Sequence, residues 1–333
     1  MKKLAAALFV LANFSLAFCV QPPLWVDDLQ SAYPNQKYIA SLGTGNTVDN
    51  ARSSAIGQIA SFFSSKVLVN TSANSNMKSD GSSTSKSQQI DQSVQVVSDM
   101  TLTAVKYSSP YYDKKKKLYY VAAYIERQEG WQAIELKAAR LKSQYSSAMA
   151  LAKKAGDTVN KYKYLTRAKD AAKELLSTLY LGFALEPAQK KAYEPLVNEI
   201  LQNYELETLS SYKIPTCVEA SGDYDNMISS KVLEIVKRNG FEPGAKKAAC
   251  DAVLKIQIDS NEQVDDELHT IAPAVSITLA SKDGAKTYYA WQKSWGKTVN
   301  FSLEQAQKKA FPKIADEISS AVSADFAEKF LQE

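Results

Sequence analysis

From about residue 128 to 210, apolar side chains recur every three or four positions. Leu141, Tyr145, Ala148 and Ala152 share one helical face. Tyr164, Leu165, Ala168, Ala172, Leu175, Leu176 and Leu179 share a second, and Leu196, Ile200 and Tyr204 a third. The clearest breaks are Gly156-Asp157 and Glu186-Pro187, which predict helices near 130–155, 158–183 and 188–209. Short loops set such neighbours antiparallel. On either side of this block the apolar period falls to two, the spacing of a strand with one buried face. The pattern therefore predicts an α+β protein, with a helical connector over 128–210 between mixed regions at 21–127 and 211–333.

In the first mixed region Lys37 to Leu42 reads as a strand, and Gly43-Thr44-Gly45 as a tight turn. A helix follows from Thr47 to about Ser65, on Val48, Ala51, Ala55, Ile56, Ile59, Ala60 and Phe63. Thr47 is a natural N-cap, because its hydroxyl can accept from a free amide of the first turn. Pro22 to Val26 reads as an extended lead-in, Lys66 to Ser72 as a strand, and the Ser/Asn-rich stretch Ala73 to Ser87 as a loop or hairpin tip. Gln89 to Tyr107 and Leu118 to Glu126 are β-rich. In the last region strands are expected at Tyr212–Glu219, Asp251–Ser260, Ala272–Ser281 and Lys286–Trp295. Asp225–Arg238 is an amphipathic helix closed by Asn239-Gly240. Asp283-Gly284 marks a hairpin, and Leu303–Phe330 a closing helix kinked or broken at Pro312.

The N-terminus has the form of a secretion signal over residues 1–18. Lys2 and Lys3 precede an uncharged run, LAAALFVLANFSLAF, too short for a membrane span of about twenty residues. Two processing sites compete. Ser15-Leu16-Ala17 suits ordinary signal peptidase. Leu16-Ala17-Phe18-Cys19 suits a lipobox that would acylate Cys19, except that Phe18 is bulkier than the residue usual there. Either site makes the protein exported, to the periplasm or the outer membrane. An oxidising compartment would let the remaining cysteines, Cys217 and Cys250, form a disulfide; two buried thiols are the alternative.

The 333 residues are 45% hydrophobic, enough for a sizeable core and two or three domains. The net charge of +4 is close to even, without the concentrated basic face of a nucleic-acid binder. Gly43-Thr44-Gly45 opens like a dinucleotide fingerprint, but Val48 stands at the third glycine and no lysine follows. His269, the one histidine, lies in the polar connection Asp265-Asp266-Glu267-Leu268-His269-Thr270, read as a solvated loop. Those acids lack the spacing of a calcium loop. No cofactor, metal site or catalytic residue is predicted. Lys114-Lys115-Lys116-Lys117, flanked by Tyr111, Tyr112, Tyr119 and Tyr120, reads first as a solvated hairpin turn, and otherwise as a contact for anionic lipid headgroups, polysaccharide or nucleic acid. Trp291 and Trp295 share one side of a strand and read as a hydrophobic face.

Pro23-Leu24-Trp25-Val26, Tyr38-Ile39-Ala40, Gly43-Thr44-Gly45, the alanine-spaced helix through Ala51, Ala55 and Ile59-Ala60, and Leu118-Tyr119-Tyr120-Val121-Ala122 occur in an order that resembles the LPP-20 lipoprotein family. That family includes domains of flagellum-associated envelope proteins of the FlgP and FlgT kind. The resemblance covers 22–126 and implies an exported, often lipid-anchored α+β domain without catalytic residues. Asp251-Ala252-Val253-Leu254-Lys255-Ile256, after a helix ending Asn239-Gly240-Phe241, more loosely resembles the α/β domains of periplasmic factors such as CsgG, LpoB and the N-terminal part of TolB. The reading reached is a non-enzymatic envelope protein, a scaffold or partner-binding component in assembly of an envelope or flagellar structure, that binds other envelope proteins or peptidoglycan, and a membrane through lipid at Cys19, but no nucleic acid. A periplasmic glycan-binding or glycan-processing module is the alternative.

Overall fold

The computed structural model describes residues 21–75, 105–244 and 249–332. The leader, Cys19, most of the serine-rich stretch and the β-rich stretch before residue 105 lie outside the described residues. The protein is a mixture of helix and sheet, as the change of period implies. It divides into two compact units. Among the described residues the first holds 21–75, 105–132 and 184–186, and the second holds 133–183, 187–244 and 249–332.

The first unit opens with two single helical turns, Leu24–Asp27 (α1) and Leu29–Ala32 (α2), where an extended lead-in was expected. The Asp28 carboxylate caps α2, accepting from the Ser31 amide at 3.1 Å. Tyr38–Gly45 (β1) leads into Val48–Ser75 (α3), and Lys106–Tyr107 (β2), Tyr111–Asp113 (β3) and Leu118–Glu126 (β4) follow. β4 is central. It pairs antiparallel with β1 along its length, from Tyr38 opposite Glu126 to Gly45 opposite Tyr119, and with β2 and β3 on its other edge. α3 is capped as expected, the Asn50 amide donating to Thr47 Oγ1 at 3.2 Å. It then continues through Lys66–Ser72, the expected strand. No glycine or proline occurs between Lys66 and Ser75 to stop it, and a helix already nucleated propagates through β-branched residues at small cost per residue.

The glycines are the larger correction. Gly43 and Gly45 do not form a turn; they are the last paired residues of β1, opposite Val121 and Tyr119. Neither has positive φ. A Cβ on Gly43 would lie 2.0 Å from the Ala51 carbonyl oxygen and 2.4 Å from the Ala55 amide nitrogen. The glycine is there for close approach: the helix backbone rests on the strand. Ser41, two residues earlier on the same face, donates from Oγ to the Ala55 carbonyl at 2.7 Å. Ala51, Ala55, Ile59 and Phe63 of α3 are buried against Ile39, Val121, Ala123 and Ile125. The opposite face carries Tyr33, Tyr38 and Tyr124, with Tyr33 stacked on Tyr124 at 4.5 Å between centroids.

Arg127–Lys154 (α4) and Thr158–Leu185 (α5) are long helices separated at Gly156-Asp157, and Lys190–Leu201 (α6) and Tyr204–Thr208 (α7) follow the break at Glu186-Pro187. Asp157 caps α5 by accepting from the Asn160 amide at 2.8 Å. Leu141, Tyr145, Ala148 and Ala152 are buried, as are Leu165, Ala168, Ala172, Leu175, Leu176 and Leu179, the stripes read from the spacing.

The rest of the second unit is Ile214–Ser221 (β5), Met227–Arg238 (α8), Phe241–Pro243 (β6), Ala252–Asp259 (β7), Gln263–Asp265 (β8), Leu268–Ile271 (β9), Ala274–Ser281 (β10), Thr287–Ser294 (β11), Thr298–Asn300 (β12) and Leu303–Gln332 (α9). Five strands form a mixed sheet in the order β11-β10-β7-β5-β6, with β5 parallel to β6 and β7 and the remaining pairs antiparallel. α9 runs unbroken through Pro312, whose exposed position leaves the missing amide on the solvent side. Ile228, Val232 and Ile235 of α8 and Phe311, Ile318, Phe326 and Phe330 of α9 share one core with Leu254, Ile256, Ile277 and Leu279 of the sheet.

Candidate functional site

Strand alternation sends half of each strand of the five-stranded sheet away from α8 and α9. Along β7, Ala252, Leu254, Ile256 and Ile258 are buried, while Lys255, Gln257 and Asp259 are exposed. Register brings polar residues into rows on that outer face. Glu219, Lys255, Thr278 and Ala290 form one row, and Ser221, Gln257, Ser276 and Gln292 the next. A third row, Cys217, Val253 and Ala280, is small and apolar and ends at Thr287. Small side chains beside longer ones leave a hollow of about 620 Å³, lined by both of the rows that include Cys217 and Glu219.

Two devices fix the hollow. Cys217 of β5 and Cys250, just before β7, form a disulfide with Cα atoms 5.6 Å apart. Both cysteines are buried. The β10–β11 turn makes the rim, with Lys282, Asp283 and Gly284 among the lining residues. Gly284 there has φ +73°, which favours glycine at this turn. The Asp283 carboxylate accepts from Ser281 Oγ and the Ala285 amide, and the Ser281 hydroxyl bond in particular holds its pKa below the usual range. Across the hollow Glu219 lies 3.7 Å from Lys255 Nζ. The two carboxylates therefore each have a partner of opposite charge or a set of donors.

The other residues singled out from the sequence lie elsewhere. His269 is on β9, not in a loop, because Gln263–Asp265 and Leu268–Ile271 form a hairpin. Its Nδ1 is 2.7 Å from Glu262 Oε1, and it does not line the hollow. Asp266 and Glu267 make that hairpin's turn, and Asp265 is the last paired residue of β8. Among the described residues no group of three or more His, Cys, Asp or Glu could hold a metal. Trp291 faces α9 with Trp295, ring centroids 6.3 Å apart, and Trp295 Nε1 donates to Glu317 at 2.7 Å. The hollow itself was missed in the sequence. Its signal was the run of small residues at matching positions of β5, β7 and β10, which becomes visible only once the register is known.

In the first unit the four lysines occupy the β3–β4 turn, all exposed. Asp113 Oδ1 accepts from the amides of Lys115 at 2.8 Å and Lys116 at 3.1 Å, an Asx turn. Lys116 Nζ reaches Tyr120 Oη at 3.3 Å and lies 3.9 Å from Asp113. No described helix is long and apolar enough to cross a membrane.

No protein-family model matches the chain, and no curated protein matches it. Among solved structures, a secreted protein of Helicobacter pylori is similar at 13% identity, with 89% of this chain and 99% of that chain covered and a TM-score of 0.40. A minor lipoprotein of Acinetobacter baumannii is similar at 15% identity over 34% of this chain and 94% of its own, with a TM-score of 0.23. A lipoprotein of Neisseria meningitidis is similar at 11% identity over 34% of this chain and 99% of its own, with a TM-score of 0.22.

Proposed function

We propose that this is an exported cell-envelope protein that works as a scaffold, binding another envelope protein or peptidoglycan on the open face of its five-stranded sheet. The observation that carries the proposal is that face: helices bury one side, while the other presents a fixed hollow among polar rows. The leader sequence supports export, with periplasm or outer membrane as the destination and Cys19 as the acylation candidate. The finer architecture belongs to the same proposal: an LPP-20-like first region, a helical connector over 128–210 and a separate C-terminal α/β domain. The non-catalytic reading is favoured over glycan processing because Glu219 is matched by Lys255 and Asp283 by its turn. General acid–base work on a glycoside needs two carboxyl groups set across one bond.

The test places a photo-crosslinking residue at Thr278 in cells. A discrete adduct from the envelope fraction, absent after Lys255→Glu and absent from a probe at Lys309, is expected. Hydrolysis of peptidoglycan by the purified protein that disappears in Glu219→Gln would overturn the scaffold reading. Intact-mass measurement decides the anchor: a diacylglyceryl adduct on Cys19 is expected, and a mature chain beginning at Phe18 refutes it.

A further inference from the structure

The β3–β4 turn of the first unit concentrates charge that the fold does not neutralise. Among the described residues Lys116 is engaged by Asp113 and Tyr120, and Lys115 is attracted more weakly to the same Asp113. Lys114, Lys115 and Lys117 are exposed and have no ion-pair partner among the described residues. The geometry of the turn does not explain its lysines. Lys117 has φ +56°, a conformation that glycine or asparagine adopts at less cost. Asp113 would form the same Asx turn whichever side chains followed it, since it bonds backbone amides.

Aromatic and apolar groups stand beside the charge. Tyr112, opposite Tyr119 on the hairpin, is 42% exposed. α1 packs on β4 and places Asp27 within electrostatic range of Lys116. On that turn Leu24 is 61% exposed. Cys19 precedes Leu24 by five residues, so no more than about 18 Å of chain separates them.

We propose that the β3–β4 hairpin docks on a bilayer of anionic phospholipid, with Lys114, Lys115 and Lys117 meeting headgroup phosphates and Tyr112 seated at headgroup level. Ammonium groups near such a surface add roughly fivefold each to partition. A tyrosine ring is suited to the interface because it is apolar with a polar tip. The proposal rests on the envelope reading for its biological setting but not on acylation or on the partner of the other unit. It is tested without either.

The experiment uses the mature chain carrying Cys19→Ser and sedimentation with vesicles. Vesicles rich in phosphatidylglycerol are expected to bind it, vesicles of phosphatidylcholine are not, and added salt should weaken binding. Changing Lys114, Lys115 and Lys117 together to Gln should lower partition on the order of 100-fold. Changing Lys308, Lys309 and Lys313 of α9 to Gln removes the same net charge from another exposed surface and should leave partition nearly unchanged. Asp113→Asn keeps the amide-accepting oxygen and removes the opposing charge, so it should tighten binding by about fivefold. Equal losses from the two lysine triples would reduce the effect to net charge and overturn the proposal. So would equal binding to both vesicle types, or saturable binding of inorganic phosphate with the same affinity per phosphate.

Discussion

Gly43→Ala tests the correction that the strand glycines are there for contact. The added methyl would start 2.0 Å from the Ala51 carbonyl oxygen and 2.4 Å from the Ala55 nitrogen, both backbone atoms of α3. Ordinary contact begins at 3.4 Å, so the helix must retreat by more than an ångström. Ala51, Ala55, Ile59 and Phe63 are 0–1% exposed and move with it. A gap of only about 0.5–1 Å already forfeits a quarter to a half of each dispersion contact, and this one is wider. The Ser41–Ala55 bond, 2.7 Å and buried, is stretched as well. Overpacking of this kind costs typically ~1–3 kcal/mol, and against backbone that cannot rotate aside the upper end applies, about 3 kcal/mol. Gly57 on the same helix is the control. It is exposed, with open space where a Cβ would stand. Gly57→Ala should therefore stabilise by about 0.8–1 kcal/mol, the helix-interior difference between the two residues. The assay is hydrogen–deuterium exchange of peptides from β1 and β4. Protection should fall by about two decades in Gly43→Ala and rise several-fold in Gly57→Ala. Equal or increased protection in Gly43→Ala would refute the close-packing argument.

Opening the Cys217–Cys250 bridge by a double change to Ala releases a loop spanning 33 residues of sequence. The chain-entropy relation puts the loss at about 3.5–4 kcal/mol. For a unit of this size that is a fall of roughly 7–15 °C in Tm, measurable by calorimetry with and without reductant. An unchanged Tm on reduction would show that the bridge does not constrain the unfolded chain. Asp157 supplies the acid-pH prediction. Burial would raise its pKa, but the bonds from the Asn160 amide and Lys286, the latter 2.9 Å away, outweigh it and the net shift is downward. Its contribution is then present above its ordinary value of 3.8 and lost as pH falls through the lower folded value. Asp157→Asn, which retains the α5 cap oxygen, should flatten the fall in unfolding midpoint as the pH drops below 3.8 and leave it unchanged above that value.

Which parts of this protein could be read in advance follows from the range of the forces that set them. The helices 127–154 and 158–185 and the outward polar residues of β7 follow from period alone, since one face of each must be buried; the single helix expected over 188–209 is instead broken after Leu201, where Asn203 caps a new turn and Tyr204 is 74% exposed. Thr47 capping α3 is a bond between neighbours in sequence, and it too was legible. The glycines of β1 were misread because the same residue serves turns and close contacts. Only the position of α3, which the strand itself does not encode, separates the two. His269 reads as a loop residue from the sequence because Gln263–Asp265 and Leu268–Ile271 are too short to show a period. They are strands by pairing with each other and with Thr298–Asn300, a contact some thirty residues away. The hollow depends on three strands in register, so no local pattern could announce it.

The open sheet face also limits what can bind there. Alternation has put Glu219, Lys255, Gln257 and Gln292 in water and left Ser276 and Thr278 half-buried beside them, and an antiparallel or mixed sheet of this kind is stable with one face solvated. The unit therefore needs no partner in order to fold, and a ligand would not be completing a core. Its apolar contribution is the row of Cys217, Val253 and Ala280 together with Ala290, too small for the large hydrophobic contacts of obligate subunits. Affinity would have to come from polar groups around a small apolar floor, with Glu219 and Lys255 giving up their contact with each other to engage the partner. Exposed pairs are worth little, so that exchange is cheap. A partner chosen in this way should bind reversibly and in a salt-dependent manner. It should also lose its place when the disulfide opens, because Cys217 is part of the floor and the bridge holds β5 against the start of β7. Crosslinking at Thr278 repeated under reducing conditions separates this from a partner held elsewhere, whose adduct would survive.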